Sequence, residues 1–343
     1  KGFGHGPNQV QSFPAKHLET ATLHMVNFIG TMQGEFAGAQ AFSSVDTYLA
    51  PFIKADSLDY HSVKQDLQKL IFGLNVPSRW GWQTPFSNLT FDWTVPEDLK
   101  DKPAICGGKE GVFTYGECQE EMNMINRAFL ELMVGGDMHG RVFTFPIPTY
   151  NLTMEFDWDS PNAKLLFDVT AKYGIPYFQN YIGTNLDPGD IRAMCCRLNL
   201  DQRELLNRPG NIWGPGDSTG SVGVATINLN RLGYESDSRE DYFIKLKNLM
   251  ILAKESLETK REVVNNMLEK GLIPYTLVYL GHFDNHFSTI GICGMNESCL
   301  NFLGKGIDSE EGKSFAIEVL KYMRETMQDF QEETGNLYNL EAT

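Results

Sequence analysis

The chain is poor in cysteine, has no surplus of basic residues and contains no long apolar run. Each shortage excludes something. Six cysteines in 343 residues (Cys106, Cys118, Cys195, Cys196, Cys293 and Cys299) are too few for a disulfide framework. A reducing cytoplasm is therefore the expected compartment. No CxxC pair is present, and Cys106 and Cys118 stand twelve residues apart, so no zinc-finger spacing exists. The formal net charge is -15, from 29 basic and 44 acidic residues. Polymeric DNA or RNA, which calls for a basic face, is excluded as a partner. A small phosphorylated ligand is still compatible, because helix N-termini can hold phosphate locally. No stretch of about 18 apolar residues occurs, so no membrane-spanning helix is expected. The opening KGFGHGPNQVQSFPAKHLE lacks the apolar h-region of a secretory signal.

What is present points to a folded α/β chain. Hydrophobic residues make up 42% of the sequence and aromatics 12%, enough for a substantial core. Residues 16–53 carry helical spacing through Leu18, Leu23, Met25, Phe28 and Ile29. A second helix is expected from Tyr60 to Leu74 and a third from Tyr115 to Met133. Ser160 reads as an N-cap with Pro161 at the first helical position. Ser238 caps a long helix that Gly271 ends, and a last helix runs from Ser309 to Gly335. Strands are expected at Val142–Pro148, Tyr177–Tyr181, Val222–Leu229 and Tyr275–Leu280, with another opening at Leu337. Strands alternating with helices imply an α/β architecture, either a closed barrel or an open sheet.

Four motifs carry possible chemistry. Met194-Cys195-Cys196-Arg197 places a basic neighbour beside a thiol, which lowers a thiol pKa and suits nucleophilic or disulfide chemistry. A thiol also trades a hydrogen atom with carbon radicals, which requires a shielded site rather than a low pKa. The competing reading is that both cysteines are small buried apolar residues. The loop GPGDSTGS, with Gly214, Gly216 and Gly220 and with Gly223 just beyond it, lacks the Lys-Ser/Thr of a P-loop, and a surface loop explains it as well. His282 and His286 have half of a zinc spacing, but Gly281 and the Asp-Asn between them argue for a loop. In GICGMNESC, Cys293, Met295 and Glu297 alternate, so on an extended stretch they would share one side. There Glu297 could move protons at a substrate hydroxyl, or simply face solvent.

The order MCCR, a loop and GSVGVATINLNRLG resembles the anaerobic (class III) ribonucleotide reductases, a family of oxygen-sensitive glycyl-radical enzymes. Their Gly-Cys-Arg element precedes a strand close to Met-Gly-Val-Val-Thr-Leu-Asn-Leu-Pro-Arg. QTPFSNLTFD at 83–92 resembles their Ser-Pro-Phe-Ser-Asn element. RVFTFPIPTYN at 141–151 resembles Phe-Thr-Phe-Pro-Ile-Pro-Thr-Tyr, and the closing TGNLYNLEAT resembles the start of Asn-Leu-Glu-Ala-Thr-Pro-Ala-Glu-Gly.

That resemblance implies a ten-stranded α/β barrel, formed here by one truncated catalytic domain, 1–343. A finger loop inside the barrel would carry Cys196 as the thiyl that abstracts the ribose 3′-hydrogen. Cys195 would sit at the family's glycine position as a bystander, although the related pyruvate formate-lyase uses two adjacent cysteines. Ser87 and Asn88 would belong to the substrate and reductant pocket. Ser221 stands where many members have a formate-binding asparagine, so Met295 and Glu297 with a thioredoxin- or glutaredoxin-type reductant are the expected substitute. A radical-SAM activase would install a glycyl radical outside this chain. The implied ligands are ribonucleoside triphosphates as substrate and dNTP or ATP as effectors. A homodimer is implied too, with the helix at 239–270 expected at its interface. The glycyl-radical motif, the C-terminal four-cysteine zinc site and the ATP-cone are not found in the sequence. The chain is therefore expected to be a fragment, inactive alone, with no metal site of its own. The alternatives are a glycyl-radical enzyme of the pyruvate formate-lyase type, or a nucleotide-binding regulatory module on the same barrel.

Overall fold

A computed structural model of the chain describes residues 10–77, 81, 83–183, 191–193, 199–201 and 219–342, with Gly2 and Gly4. Two compact units form, Lys1–Gly216 and Asp217–Thr343.

In the first unit α1 (Leu18–Met32) is followed by β1 (Gln40–Phe42), α2 (Val45–Asp56) and α3 (Tyr60–Asn75). The single helical run expected over 16–53 is thus two helices with a strand between them. Gly34 and Gly38 interrupt it, and Ser44 turns the chain through a left-handed conformation at φ 55° before α2. Asp59 caps α3 by accepting from the Ser62 amide. Next come β2 (Ser87–Phe91), the short α4 (Glu97–Lys100), and the antiparallel hairpin of β3 (Pro103–Cys106) and β4 (Lys109–Thr114). Then follow α5 (Gln119–Gly135), β5 (Ile147–Leu152), α6 (Pro161–Tyr173) and β6 (Tyr177–Asn180). Ser160 and Pro161 open α6 as the sequence predicts, and Gly174 closes it at φ 69°.

The apolar run Val142–Phe145 is not a strand. Pro146 removes an amide donor, and pairing starts only where Ile147 meets Asn88. Strands β1-β2-β5-β6 form a parallel sheet in that order. Leu89, Phe91, Tyr150 and Leu152 turn toward the helices and join a core with Leu67, Leu70 and Phe129. Phe91 stacks on Tyr150 at 4.8 Å between ring centroids. The strands β7 (Ile191–Ala193) and β8 (Asn199–Asp201) pair antiparallel. Cys195 and Cys196, which fall between them in sequence, lie outside the described residues, as do Gly214 and Gly216.

The second unit runs β9 (Gly220–Asn228), α7 (Leu229–Glu235), α8 (Arg239–Glu269), α9 (Pro274–Tyr279), β10 (His286–Cys293), α10 (Met295–Leu303), α11 (Glu310–Thr334) and β11 (Leu337–Ala342). Ser238 and Ser309 cap α8 and α11 by accepting the amides of Asp241 and Gly312. Residues 275–280, expected as a strand, lie in α9 and its cap. Pro274 at the first helical position presets the backbone and overrides the β-prone Tyr-Thr-Leu-Val-Tyr composition. The three strands form a parallel sheet ordered β11-β10-β9. Its Ile227, Ile290, Ile292 and Tyr338 pack on Leu246 and Met250 of α8 and on Val319 and Met323 of α11. Among the described residues the strands thus build a mixed α/β fold of sheets with four, three, two and two strands.

Candidate functional site

Each parallel sheet sends apolar side chains toward its helices, so period-two alternation sends the others to the opposite face. In both units that opposite face carries a group of polar side chains, beside apolar ones such as Ile147 in the first sheet and Phe287, Leu337 and Val224 in the second.

On the first sheet it carries Asn88 and Thr90 of β2 and Thr149 and Asn151 of β5, with Gln179 of β6 in register beside Asn151. All five are buried. Buried amides and hydroxyls need partners, and most find them across the strands. Asn88 donates to the Ile147 carbonyl at 2.8 Å and to Thr149 Oγ1 at 3.1 Å. Asn151 donates to Asp92 Oδ1 at 2.9 Å, and Thr47 Oγ1 donates to Asp92 Oδ2 at 2.6 Å. Asp46 accepts four hydrogen bonds, from the amides of Thr47, Asp92 and Trp93 and from Asn126 Nδ2. Burial still pushes its carboxyl pKa above the ordinary value. Ser87 points to the other face, fully buried, and its hydroxyl has no partner.

On the second sheet the polar face holds Ser221 of β9, Thr289 of β10, and Asn339 and Glu341 of β11. Ser221 Oγ lies 2.9 Å from Thr289 Oγ1 and donates to the Gly223 carbonyl at 3.0 Å. Thr289 is in register with Asn339, and Gly291 with Glu341. Both Nδ2 and Oδ1 of Asn339 are shielded from solvent without a hydrogen-bond partner. Burial raises the Glu341 carboxyl pKa.

The alternation expected for Cys293, Met295 and Glu297 is not what folds. Strand β10 ends at Cys293, Gly294 adopts φ 73°, and Met295 opens α10. On a helix, Met295 and Glu297 point about 200° apart. Met295 packs against the core of its unit, while Glu297 is exposed in the first turn, where a carboxylate complements the helix dipole. Asn339 and Glu341 are the polar pair that sequence reasoning missed. Their signal was the Asn-x-Glu alternation within the closing strand, read only as a resemblance.

His282 and His286 do not share a loop. His286 opens β10 and is buried; burial first, then the nearby Arg261 charge, lowers its pKa to about 4. His282 is exposed beside Asp284, 3.5 Å away. Among the described residues no group of three His, Cys, Asp or Glu side chains could hold a metal. No described helix is long and apolar enough to cross a membrane. A groove of about 790 Å³ is lined by Phe72, Met138, His139 and Arg141. Its arginine and lysine are already paired, Arg141 with Asp137 and Lys69 with Asp66 and Glu19.

The Haemophilus influenzae protein named anaerobic ribonucleoside-triphosphate reductase is 22% identical over 376 residues, covering all of this chain and 50% of that protein. The chain therefore spans half the length of that relative. The Thermotoga maritima anaerobic ribonucleotide reductase with citrate in the active site superposes with a TM-score of 0.74 at 23% identity, covering 96% of this chain and 60% of that one. The same enzyme with dATP bound in the specificity site gives 0.75 at 22% identity, covering 96% and 56%. Its complex with dATP and CTP gives 0.72 at 23%, covering 96% and 55%. The fold is shared with these structures. The sequence also matches, over residues 1–343, the family described as anaerobic ribonucleoside-triphosphate reductase, and the chain belongs to that family.

Proposed function

We propose that this chain supplies the catalytic core of an anaerobic ribonucleoside-triphosphate reductase, with Cys196 as the residue that acts on the ribose. The observation that carries this reading is a family match extending over every residue, 1–343. The ten-stranded α/β barrel implied by the resemblance is the proposed framework for both parallel sheets, in one catalytic domain. The row Ser221, Thr289 and Asn339 of the second sheet, made of hydroxyls and an amide, suits a polyhydroxylated substrate.

The glycyl radical, installed by a radical-SAM activase on a part of the protein outside this chain, would supply the oxidation of the Cys196 thiol. Cys196 then takes the 3′-hydrogen, the 2′-hydroxyl leaves as water, and two electrons and the returned hydrogen complete the deoxyribonucleotide. Cys195 is the bystander thiol. Exposed Glu297 is poorly placed to protonate a leaving hydroxyl. Glu341, held toward its neutral form by burial, is better suited to that task. Ser221 spends its hydroxyl on Thr289 and the Gly223 carbonyl and offers no amide to a carboxylate. A thioredoxin- or glutaredoxin-type dithiol is therefore the proposed reductant in place of formate. The relatives named with dATP and CTP support nucleotide effectors and substrate for this protein. A homodimer, with α8 at its interface, and a cytoplasmic location complete the proposal.

The test is anaerobic turnover of CTP by the full-length protein after activation, beside Cys196→Ala. Formation of dCTP by the parent and none by the variant is expected. Equal turnover would move the radical to another thiol. A parent that carries the radical yet makes no dCTP would overturn the substrate, leaving a pyruvate formate-lyase type of chemistry.

A further inference from the structure

Asn339 is the one side chain on the second sheet's polar face whose amide nitrogen and amide oxygen are both shielded from water and both unpartnered. Its register partner Thr289 is fully buried, and the Thr289 hydroxyl already meets Ser221 at 2.9 Å. Two neighbouring groups are satisfied in the same way. Ser221 donates to a backbone carbonyl, and Tyr338, one residue away on the opposite face, donates to Glu258 at 2.5 Å. Buried polar atoms are rarely left without partners, and here a donor and an acceptor on one planar group both lack one. An amide in that state is complementary to two adjacent hydroxyls. Its N–H donates to one oxygen while its carbonyl accepts from the other. Beside it, Gly291 carries no side chain at the position opposite Glu341, so the row from Ser221 through Thr289 to Asn339 continues into a carboxyl.

We propose that Asn339 is a sugar-recognising residue, hydrogen-bonded to the vicinal 2′- and 3′-hydroxyls of the ribonucleotide, and that it makes the site selective for ribose. This assignment rests on the ribonucleotide reading of the preceding section and deepens it. A site built to pair with a substrate hydroxyl discriminates strongly against the analogue lacking it, because its own polar groups are then left bare.

The experiment uses the full-length activated protein, with effector at one fixed saturating concentration. The KM for CTP and the inhibition constant of 2′,3′-dideoxy-CTP are measured for the parent, Asn339→Ala and Asn339→Asp. The dideoxy nucleotide keeps the base and triphosphate and lacks both hydroxyls. The expected result is a rise of about tenfold in the KM for CTP in each variant, with less than about a threefold change for dideoxy-CTP. The Asp variant preserves shape and guards against misfolding, and thermal unfolding of both variants is checked beside the parent. An unchanged KM for CTP would overturn the assignment. So would an equal weakening of dideoxy-CTP, which would place Asn339 at the base, the phosphates or the fold. A parent that neither reduces CTP nor is inhibited by dideoxy-CTP would overturn the underlying reading, and the assignment with it.

Discussion

Arg261 of α8 donates to the carbonyl of His286 at 2.8 Å, and the same guanidinium nitrogen reaches Ser288 Oγ at 3.0 Å. Its other terminal nitrogen donates to the Phe283 carbonyl at 3.2 Å. One buried side chain thus fastens the long helix to the entry of the central strand β10. The forked donor geometry of arginine permits this, and a lysine cannot reproduce it. Arg261→Met would leave two carbonyls and a hydroxyl bare in the interior. We expect a loss of about 2–4 kcal/mol in urea unfolding, with Arg261→Lys recovering only part.

His286 adds a pH dependence. Its pKa is about 4 in the fold against 6.5 for an ordinary histidine. Between those values the unfolded chain binds a proton that the folded chain refuses. Stability is therefore complete above pH 6.5 and falls as the pH drops toward 4, by about 3 kcal/mol over the window. The charged group facing it is Arg261, with His282 contributing less. Urea unfolding between pH 4 and 7 should show this slope in the parent and a flatter one in His286→Gln. Equal slopes would sink the assignment.

Asp46 holds the end of β2. Through its four donors it pins Trp93, which sits at φ 69°, a conformation uncommon for a bulky residue. Trp93 in turn stacks on Phe156 at 4.8 Å and meets Tyr150 edge-on. Asp46→Ala would strand four buried donors and is expected to lower stability by roughly 3–5 kcal/mol. Asp46→Asn keeps the shape but turns an amide N–H donor toward the groups that donate to one of the carboxylate oxygens, with an expected loss of about 1–3 kcal/mol. Differential scanning calorimetry would rank the three proteins.

Helix signals in this sequence were local, and they read well. Ser160-Pro161, Ser238 and Ser309 are caps whose chemistry acts within one turn, and each opens a helix where the spacing predicts. Strand signals are weaker because strand pairing is settled by distant partners. Val142–Phe145 is apolar and β-prone, yet among the described residues no strand pairs with it, and Tyr275–Tyr279 is β-prone yet helical because Pro274 precedes it. The site divides in the same way. Ser221 is named from the motif around it, and the structure shows it on β9 with its hydroxyl against Thr289. The alternation at Cys293–Glu297 failed because Gly294 took a left-handed φ and began a helix. Asn339 could not be singled out beforehand, since what distinguishes it is the absence of a partner, and that exists only once β11 lies beside β10.

The thiols give a last prediction, and it bears on Cys196. Cys118 and Cys299 are fully buried. Burial pushes the Cys118 thiol up to about 12 and also raises Cys299. Cys106 is partly exposed, but burial and the nearby Asp56 raise its pKa as well. Alkylation requires thiolate, and at pH 7.5 a thiol with a pKa near 12 is ionised to only about one part in 30,000. Brief iodoacetamide treatment of the native chain should therefore leave Cys118 and Cys299 unlabelled, with Cys106 slow, while the urea-unfolded chain labels all six. Peptide mass spectrometry reads each site separately. Cys195 and Cys196 can then be ranked against this inert background. A Cys196 that labels ahead of Cys118 and Cys299 would show a thiol open to a small reagent, the access that hydrogen transfer with a bound sugar also requires. Labelling of native Cys118 at the unfolded rate would show instead that the first unit opens freely, contrary to the packing of its core.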